Sequence, residues 1–213
     1  MADKHTVAVY CNFSSVSEDE LKAFEMLVKP HITEDKNMRD ESLCARVLLT
    51  YMLQKHFGVT DFTVAVRENG KPYLVGSNLQ FNFSHCLKRV ICSVSAFEVG
   101  CDVQDIRAMN PRVVSRFYNP DEGVLLSADH NSDEHFTKLW VLKEAILKYK
   151  GDGITGGLAD YSFPEYLLSD SFSAYGVNFK SFEKNGYIYG VCYEGDKITV
   201  SEADVKEILK TLM

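Results

Sequence analysis

Two acidic motifs carry the chemistry this chain can offer: Val99-Gly100-Cys101-Asp102 and Trp140-Val-Leu-Lys143-Glu144-Ala-Ile-Leu-Lys148. The first reads as the end of a strand and the second as a helix that returns its Glu to that strand. Together they build a small carboxylate site for a hard cation, flanked by lysines, and such a site suits a phosphate-containing substrate. On a helix of about 3.6 residues per turn, Trp140, Glu144 and Lys148 share one face, with Lys143 and Leu147 at its edge, and Glu144 and Lys148 form a favourable i,i+4 pair. The same spacing also describes a surface helix with a packed Trp and an ordinary salt-bridge ladder.

The elements that must position these residues are legible from periodicity and punctuation. Residues 6–11 form an apolar run that reads as a strand, and Ser17-Glu-Asp-Glu20 is a capping box for a short helix that stops at Pro30. Leu43, Val47, Tyr51 and Gln54 recur at near-helical spacing and predict a long helix over 36–57, stopped by Gly58. A strand at 62–67 leads into the tight-turn signal Asn69-Gly70, which places Lys71 at a pocket rim. Residues 90–95 and 97–102 read as two strands joined by a short turn, so Asp102 is expected to end a strand of an antiparallel pair.

The strand pattern is interrupted between Arg107 and Arg112, and the subdomain boundary is placed there: 1–105 and 106–213, each α+β, with a cleft between them. Beyond it, 112–118 and 121–127 are expected to be helical around Pro120. Asn131-Ser-Asp-Glu134 offers N-caps for a helix through Tyr149 that Gly151 and Gly153 end. Strand-like runs follow at 172–182, 187–193 and 197–200, with Asn185-Gly186 as a turn and Ser201 capping a last helix through Leu209.

Composition bounds the partners. The chain has 213 residues, 46% of them hydrophobic, enough for a substantial core. Lys plus Arg total 23 against 30 Asp plus Glu, a formal charge of -7 that disfavours broad capture of nucleic acid or of an anionic membrane while leaving room for a local basic pocket. The cysteines at 11, 44, 86, 92, 101 and 192 show no Cys-x-x-Cys spacing, and the N-terminus lacks the apolar stretch of a signal peptide. The expectation is reduced thiols in a cytoplasmic protein, without a membrane span.

Taken together, Phe81-Asn-Phe-Ser84-His85, Gly100-Cys-Asp102, Phe117-Tyr-Asn-Pro-Asp-Glu122 and Trp140-x-x-Lys143-Glu144-Ala-x-x-Lys148 resemble a 4'-phosphopantetheinyl transferase of the surfactin-synthetase-activating type. The resemblance implies a pseudo-duplicated fold of two α+β subdomains, each with an antiparallel sheet packed on helices. It also implies transfer of the phosphopantetheine arm of coenzyme A to a serine hydroxyl of an apo acyl or peptidyl carrier protein. That reaction depends on Mg2+ and releases adenosine 3',5'-bisphosphate. A monomer is expected, because two fused halves would hold the cleft within one chain.

Residue by residue, the resemblance makes Asp102 and Glu144 the Mg2+ ligands, with Glu144 also the candidate general base, and assigns Lys148 to the pyrophosphate and the transition-state charge. Glu122 is a further acidic residue of the site, near the metal or positioning a partner. Ser84 and His85 contact the coenzyme's phosphates, Arg46 and Lys71 its nucleotide end, and Lys143 supports the site or its substrate, with Lys36 and Arg39 as weaker basic candidates. One departure matters. The common pattern reads Gly-x-Asp-x-Glu, and here the second acidic position is Gln104, followed by Asp105. Gln104 can reach the metal only through its carbonyl or a water, and Asp105 is turned to the other face unless the strand ends by Val103. Two alternatives stand beside this reading: a catalytically degenerate coenzyme A-binding module, and a metal-dependent nucleotide phosphohydrolase.

Overall fold

The computed structural model describes residues 5–31, 40–153 and 157–213. Lys36, Arg39 and part of the Gly-rich stretch at 151–157 lie outside the described residues. The strands are β1 (His5–Asn12), β2 (Val64–Val66), β3 (Pro72–Leu74), β4 (Gln80–Cys86), β5 (Arg89–Ser95), β6 (Val99–Asp105), β7 (Ser171–Ala174), β8 (Val177–Lys184), β9 (Tyr187–Tyr193) and β10 (Lys197–Ala203). The helices are α1 (Glu18–Val28), α2 (Asp40–Phe57), α3 (Pro111–Phe117), α4 (Pro120–Ser127), α5 (Ser132–Lys150) and α6 (Val205–Leu212).

Local chemistry sets many of these boundaries. Ser17 and Glu20 close the capping box of α1, and Asn110 and Asn119 cap α3 and α4 with Pro at the first turn of each. Gly151 ends α5 in the left-handed region at φ 81. Elsewhere the structure differs from the sequence-based expectation. The run 172–182 is split by Tyr175 and Gly176, both at positive φ, into the β7–β8 hairpin. Ser201 lies within β10, and α6 is capped instead by Asp204, whose carboxylate accepts the Glu207 amide at 2.7 Å. Asn131 stands at the start of α5 but makes no side-chain cap.

The strands form two four-stranded sheets, ordered β10-β1-β5-β4 and β6-β9-β8-β7, and a β2-β3 ribbon. Among the described residues, all pairings are antiparallel except β1 with β10. The expected hairpin between β5 and β6 does not form. The link between them carries no Asn-Gly or Asp-Gly signal, and it passes the chain from the first sheet to the second, where β6 pairs with β9. Asp102 therefore sits in the middle of its strand, opposite Gly190, rather than at its end. A boundary at 105 does not separate two self-contained units either. β6 belongs to the second sheet, while β10 and α6 return to the first, where Tyr51 on α2 donates to Glu207 on α6 at 2.8 Å.

The two sheets face one another across a core of Ala8, Ile91, Val99, Cys101, Val103, Tyr189 and Val191. Side chains on the opposite strand faces, such as Val7, Val9 and Cys11, pack with α1, α2 and α6. α5 covers the second sheet, where its Leu139, Leu142 and Ile146 join Phe179 and Cys192. Burial on both faces explains why the central strands read as near-continuous apolar runs. The six cysteines are all free thiols. No helix among the described residues is long and apolar enough to cross a membrane.

Candidate active site

The Gly-x-Asp spacing has a packing cause. A Cβ on Gly100 would stand 2.9 Å from the Tyr149 Cα and closer still to the Ala145 carbonyl and the Tyr149 amide, and one on Gly190 would meet Val141 Cγ1 at 2.6 Å. Glycine at these two neighbouring positions lets α5 lie directly against β6 and β9. Two residues of strand advance about 6.6 Å and one helical turn about 5.4 Å, so the outward positions of β6 run along α5 from its last turn toward its first half. Gly100 meets Ala145 and Tyr149, Asp102 meets Lys148, and Gln104 lines a cavity with Thr137 and Trp140.

β4 of the first sheet closes the site from the other side. Ser84 Oγ donates to Asp102 Oδ1 at 2.7 Å, and Lys148 Nζ donates to the same oxygen at 2.5 Å and to Ser84 Oγ at 3.0 Å. Asn82, two residues before Ser84 and so on the same face, accepts the Cys101 amide on its Oδ1 at 2.9 Å and the Cys101 thiol on its carbonyl at 3.2 Å. Asn82 thereby joins the edges of the two sheets one residue from Asp102. The sequence reading did not assign it a role, although the alternation Phe-Asn-Phe-Ser already put Asn82 and Ser84 on one face.

Glu144 differs from its neighbours. Its side chain is buried, and Oε1 has no hydrogen-bond partner among the described residues. Burial, reinforced by the Asp102 charge and partly offset by Lys148, raises its carboxyl above the ordinary 4.5. Lys148 is shifted upward as well: burial opposes its charge, but the Asp102 carboxylate beside it more than compensates. Two carboxylates close enough to repel, one with an unsatisfied oxygen, form a donor set that fits a hard divalent cation. Mg2+ commonly takes one or two protein carboxylates and completes its shell with phosphate oxygens and water. No group of three or more His, Cys, Asp or Glu side chains able to hold a metal occurs among the described residues.

Several expected members of the site are placed elsewhere. Glu122 is completely buried with every oxygen engaged: it accepts the Asn119 and Phe163 amides at 2.9 and 3.0 Å and pairs with Lys143 at 2.8 Å. It is the capping-box residue of α4 and has no oxygen left for a metal. Lys143, also fully buried, donates to the Leu158 carbonyl at 3.1 Å and to the Tyr161 carbonyl and lies over the Tyr118 ring, so it does not reach a substrate. Its ammonium is shifted down by burial, an effect that Glu122 limits.

Lys71 lines a cavity of about 260 Å³ with Pro72, Asn82, Phe83, Lys148 and Gly151. Its ammonium, however, is committed to Glu98 at 2.7 Å, the Tyr149 carbonyl at 2.8 Å and the Val99 carbonyl at 3.4 Å. His85 lies inside β4 rather than after a strand, on the face opposite Ser84, with Nδ1 3.3 Å from Glu41 of α2. Strand alternation thus keeps Ser84 and His85 from meeting one anion together. Arg46 is carried by α2 and is half-buried. Gln104 turns its amide to Cys86 Sγ at 3.2 Å and to Asp105, which Arg107 holds at 2.8 Å.

Comparison with known proteins agrees with the geometry. The sequence model of the 4'-phosphopantetheinyl transferase superfamily matches residues 98–192. A 4'-phosphopantetheinyl transferase of Bacillus subtilis is 28% identical over 57% of this chain and 56% of its own length. The 4'-phosphopantetheinyl transferase gsp of Aneurinibacillus migulanus is 28% identical over 66% and 58%, and HetI of a Nostoc species 30% identical over 66% and 62%. The chain spans a little over half the length of the first two relatives. The matched segment runs from the start of β6 through β9 and contains Asp102, Glu144 and Lys148, and over it this chain is similar to the 4'-phosphopantetheinyl transferase superfamily, with relatives of the surfactin-synthetase-activating type.

Proposed function

We propose that the chain transfers the 4'-phosphopantetheine moiety of coenzyme A to a serine hydroxyl of an apo acyl or peptidyl carrier protein, with Mg2+, releasing adenosine 3',5'-bisphosphate. The observation that carries this reading is the convergence of Asp102, Glu144, Lys148 and Ser84, with one oxygen of Glu144 unpartnered. The attacking serine is neutral and the phosphorus is crowded by anionic oxygens, so catalysis needs a base and positive charge at the pyrophosphate. Bound between Asp102 and Glu144, with Gln104 reaching it at most through water, Mg2+ would screen the pyrophosphate charge.

The chain's own residues account for the rest. Burial raises the Glu144 carboxyl above its ordinary value, which makes its carboxylate the stronger base, and it accepts the serine proton as the new O–P bond forms. The bond from phosphorus to the bridging pyrophosphate oxygen breaks, and the electron pair leaves on adenosine 3',5'-bisphosphate. Lys148, whose charged form the Asp102 carboxylate favours, holds the phosphoryl oxygens as charge shifts between them. The cavity that Lys148 shares with Pro72 and Gly151 takes the coenzyme's phosphates, and the carrier serine enters beside Gln104 and Trp140, where a second cavity of about 270 Å³ opens.

The pseudo-duplicated fold is supported by a shared sequence of elements: β1, α2 and the β4–β5 hairpin in one layer, β6, α5 and the β8–β9 hairpin in the other, with the first strand pairing to the last in each. Both halves lie in one chain, so a cleft between them needs no second copy, and a monomer acting in the cytoplasm belongs to the same proposal. Incubation with Mg2+, coenzyme A and an apo carrier, followed by intact-mass measurement, adds one phosphopantetheine to the carrier, and Glu144→Ala abolishes the gain. A wild-type protein that binds coenzyme A but modifies none of several carriers would favour the degenerate binder. Cleavage of nucleotides without a carrier would favour the phosphohydrolase.

A further inference from the structure

We propose that Lys71 is a positioning residue that fixes where Lys148 and Glu144 stand over Asp102. The proposal rests on the transferase reading and replaces a direct contact between Lys71 and the nucleotide. Its ammonium can form three hydrogen bonds, and all three are spent within the protein. It reaches the Tyr149 carbonyl in the last turn of α5, the Val99 carbonyl that opens β6, and the Glu98 carboxylate just before it. The last carbonyls of a helix have no partner within it, so a lysine at that position satisfies the Tyr149 carbonyl and favours the negative end of the helix dipole.

The same turn braces α5 in other ways. A Cβ on Gly151 would meet Asn69 Nδ2 at 2.7 Å and Lys71 Cδ at 3.5 Å, so the turn lies flush against the end of the helix. Asn69 Oδ1 in turn accepts the Lys71 amide at 3.1 Å. Lys148 is the residue immediately before Tyr149, and Asp102 stands three residues after Val99. A single ammonium bonded to Tyr149 and Val99 therefore ties the helix and strand together next to the pair that does the chemistry. Loss of that tie lets the last turn of α5 slide or fray, and small displacements of reacting groups cost rate out of proportion to their size.

The test compares Lys71→Met, which keeps the apolar stem against Gly151, with Glu98→Gln and with the double variant. Each is assayed for transfer to a carrier over a range of coenzyme A concentrations, and amide hydrogen exchange is followed along α5. The proposal expects kcat for Lys71→Met to fall about tenfold with the KM for coenzyme A nearly unchanged. Glu98→Gln falls in the same direction, the double variant is no worse than Lys71→Met, and exchange quickens at Lys148 to Gly151 but not in the first half of α5. A large rise in KM with kcat intact, a silent Glu98→Gln and unchanged exchange would make Lys71 a coenzyme contact and overturn the proposal. If the wild type transfers nothing, the transferase reading fails by itself. Exchange at 148–151 in the two single variants still decides whether the clamp exists, and Glu98→Gln serves if Lys71→Met does not fold.

Discussion

α5 carries two lysine–carboxylate pairs five residues apart, and they are built to opposite ends. Lys143–Glu122 is sealed, both side chains fully buried and every oxygen of Glu122 engaged. Lys148–Asp102 lies at the seam of two sheets beside a cavity, with Lys148 partly exposed and the neighbouring Glu144 left with an unpartnered oxygen. A complete set of partners makes a charge structural, because any rearrangement strands an ion in a medium that cannot solvate it. An incomplete set leaves capacity for a ligand, at a cost in stability that the fold carries elsewhere.

The comparison breaks most visibly at the sealed pair. Lys143→Met leaves Glu122 buried without its counter-ion and is expected to lower stability by about 3–5 kcal/mol in urea unfolding. The double variant Glu122→Gln/Lys143→Met recovers much of that loss, and a double variant as unstable as the single one would show that Lys143 acts through its carbonyl contacts instead. Lys148→Met is the counterpart. It should cost about a hundredfold in kcat, about 2.7 kcal/mol of transition-state stabilisation, while its urea midpoint shifts less than that of Lys143→Met.

Gly100→Ala probes the contact that brings both pairs to the sheet. The new methyl collides with α5 backbone, which has no rotamer to yield, so stability falls by about 1–3 kcal/mol and transfer falls with it. The smallest effect sharpens the contrast through pH. The raised carboxyl of Glu144 favours the folded state only while it is protonated, a contribution present below 4.5 and lost as pH rises through its folded value. Glu144→Gln should therefore melt above the wild type at pH 7 in the presence of a chelator, with the advantage shrinking as pH falls below 4.5. Equal melting temperatures at both pH values would mean that Glu144 is not a strained charge.

The sequence determined the elements whose signals are local. The Ser17–Glu20 capping box, the Pro-initiated turns at 111 and 120, the Gly151 stop and the helix that aligns Glu144 with Lys148 all follow from neighbours within a turn of one another. Spacing and resemblance also picked out Asp102, Glu144, Lys148 and Ser84. The separation of Ser84 from His85 was legible too, since adjacent strand residues face opposite ways.

Tertiary structure alone decided what depends on distant partners. It put β6 in the second sheet and returned β10 to the first, because strand pairing is chosen by packing over the whole chain rather than by the link between two runs. It assigned the charges as well. Glu122 and Lys143 belong to motifs that resemble an active site, yet burial with amides and carbonyls from 119 to 163 makes them a support, while Lys71 spends its ammonium on two backbone carbonyls and Glu98. A lysine or glutamate reads the same in sequence wherever it lies. Its role is set by whether the fold satisfies all of its hydrogen-bonding groups or leaves one open, and only three-dimensional packing fixes that.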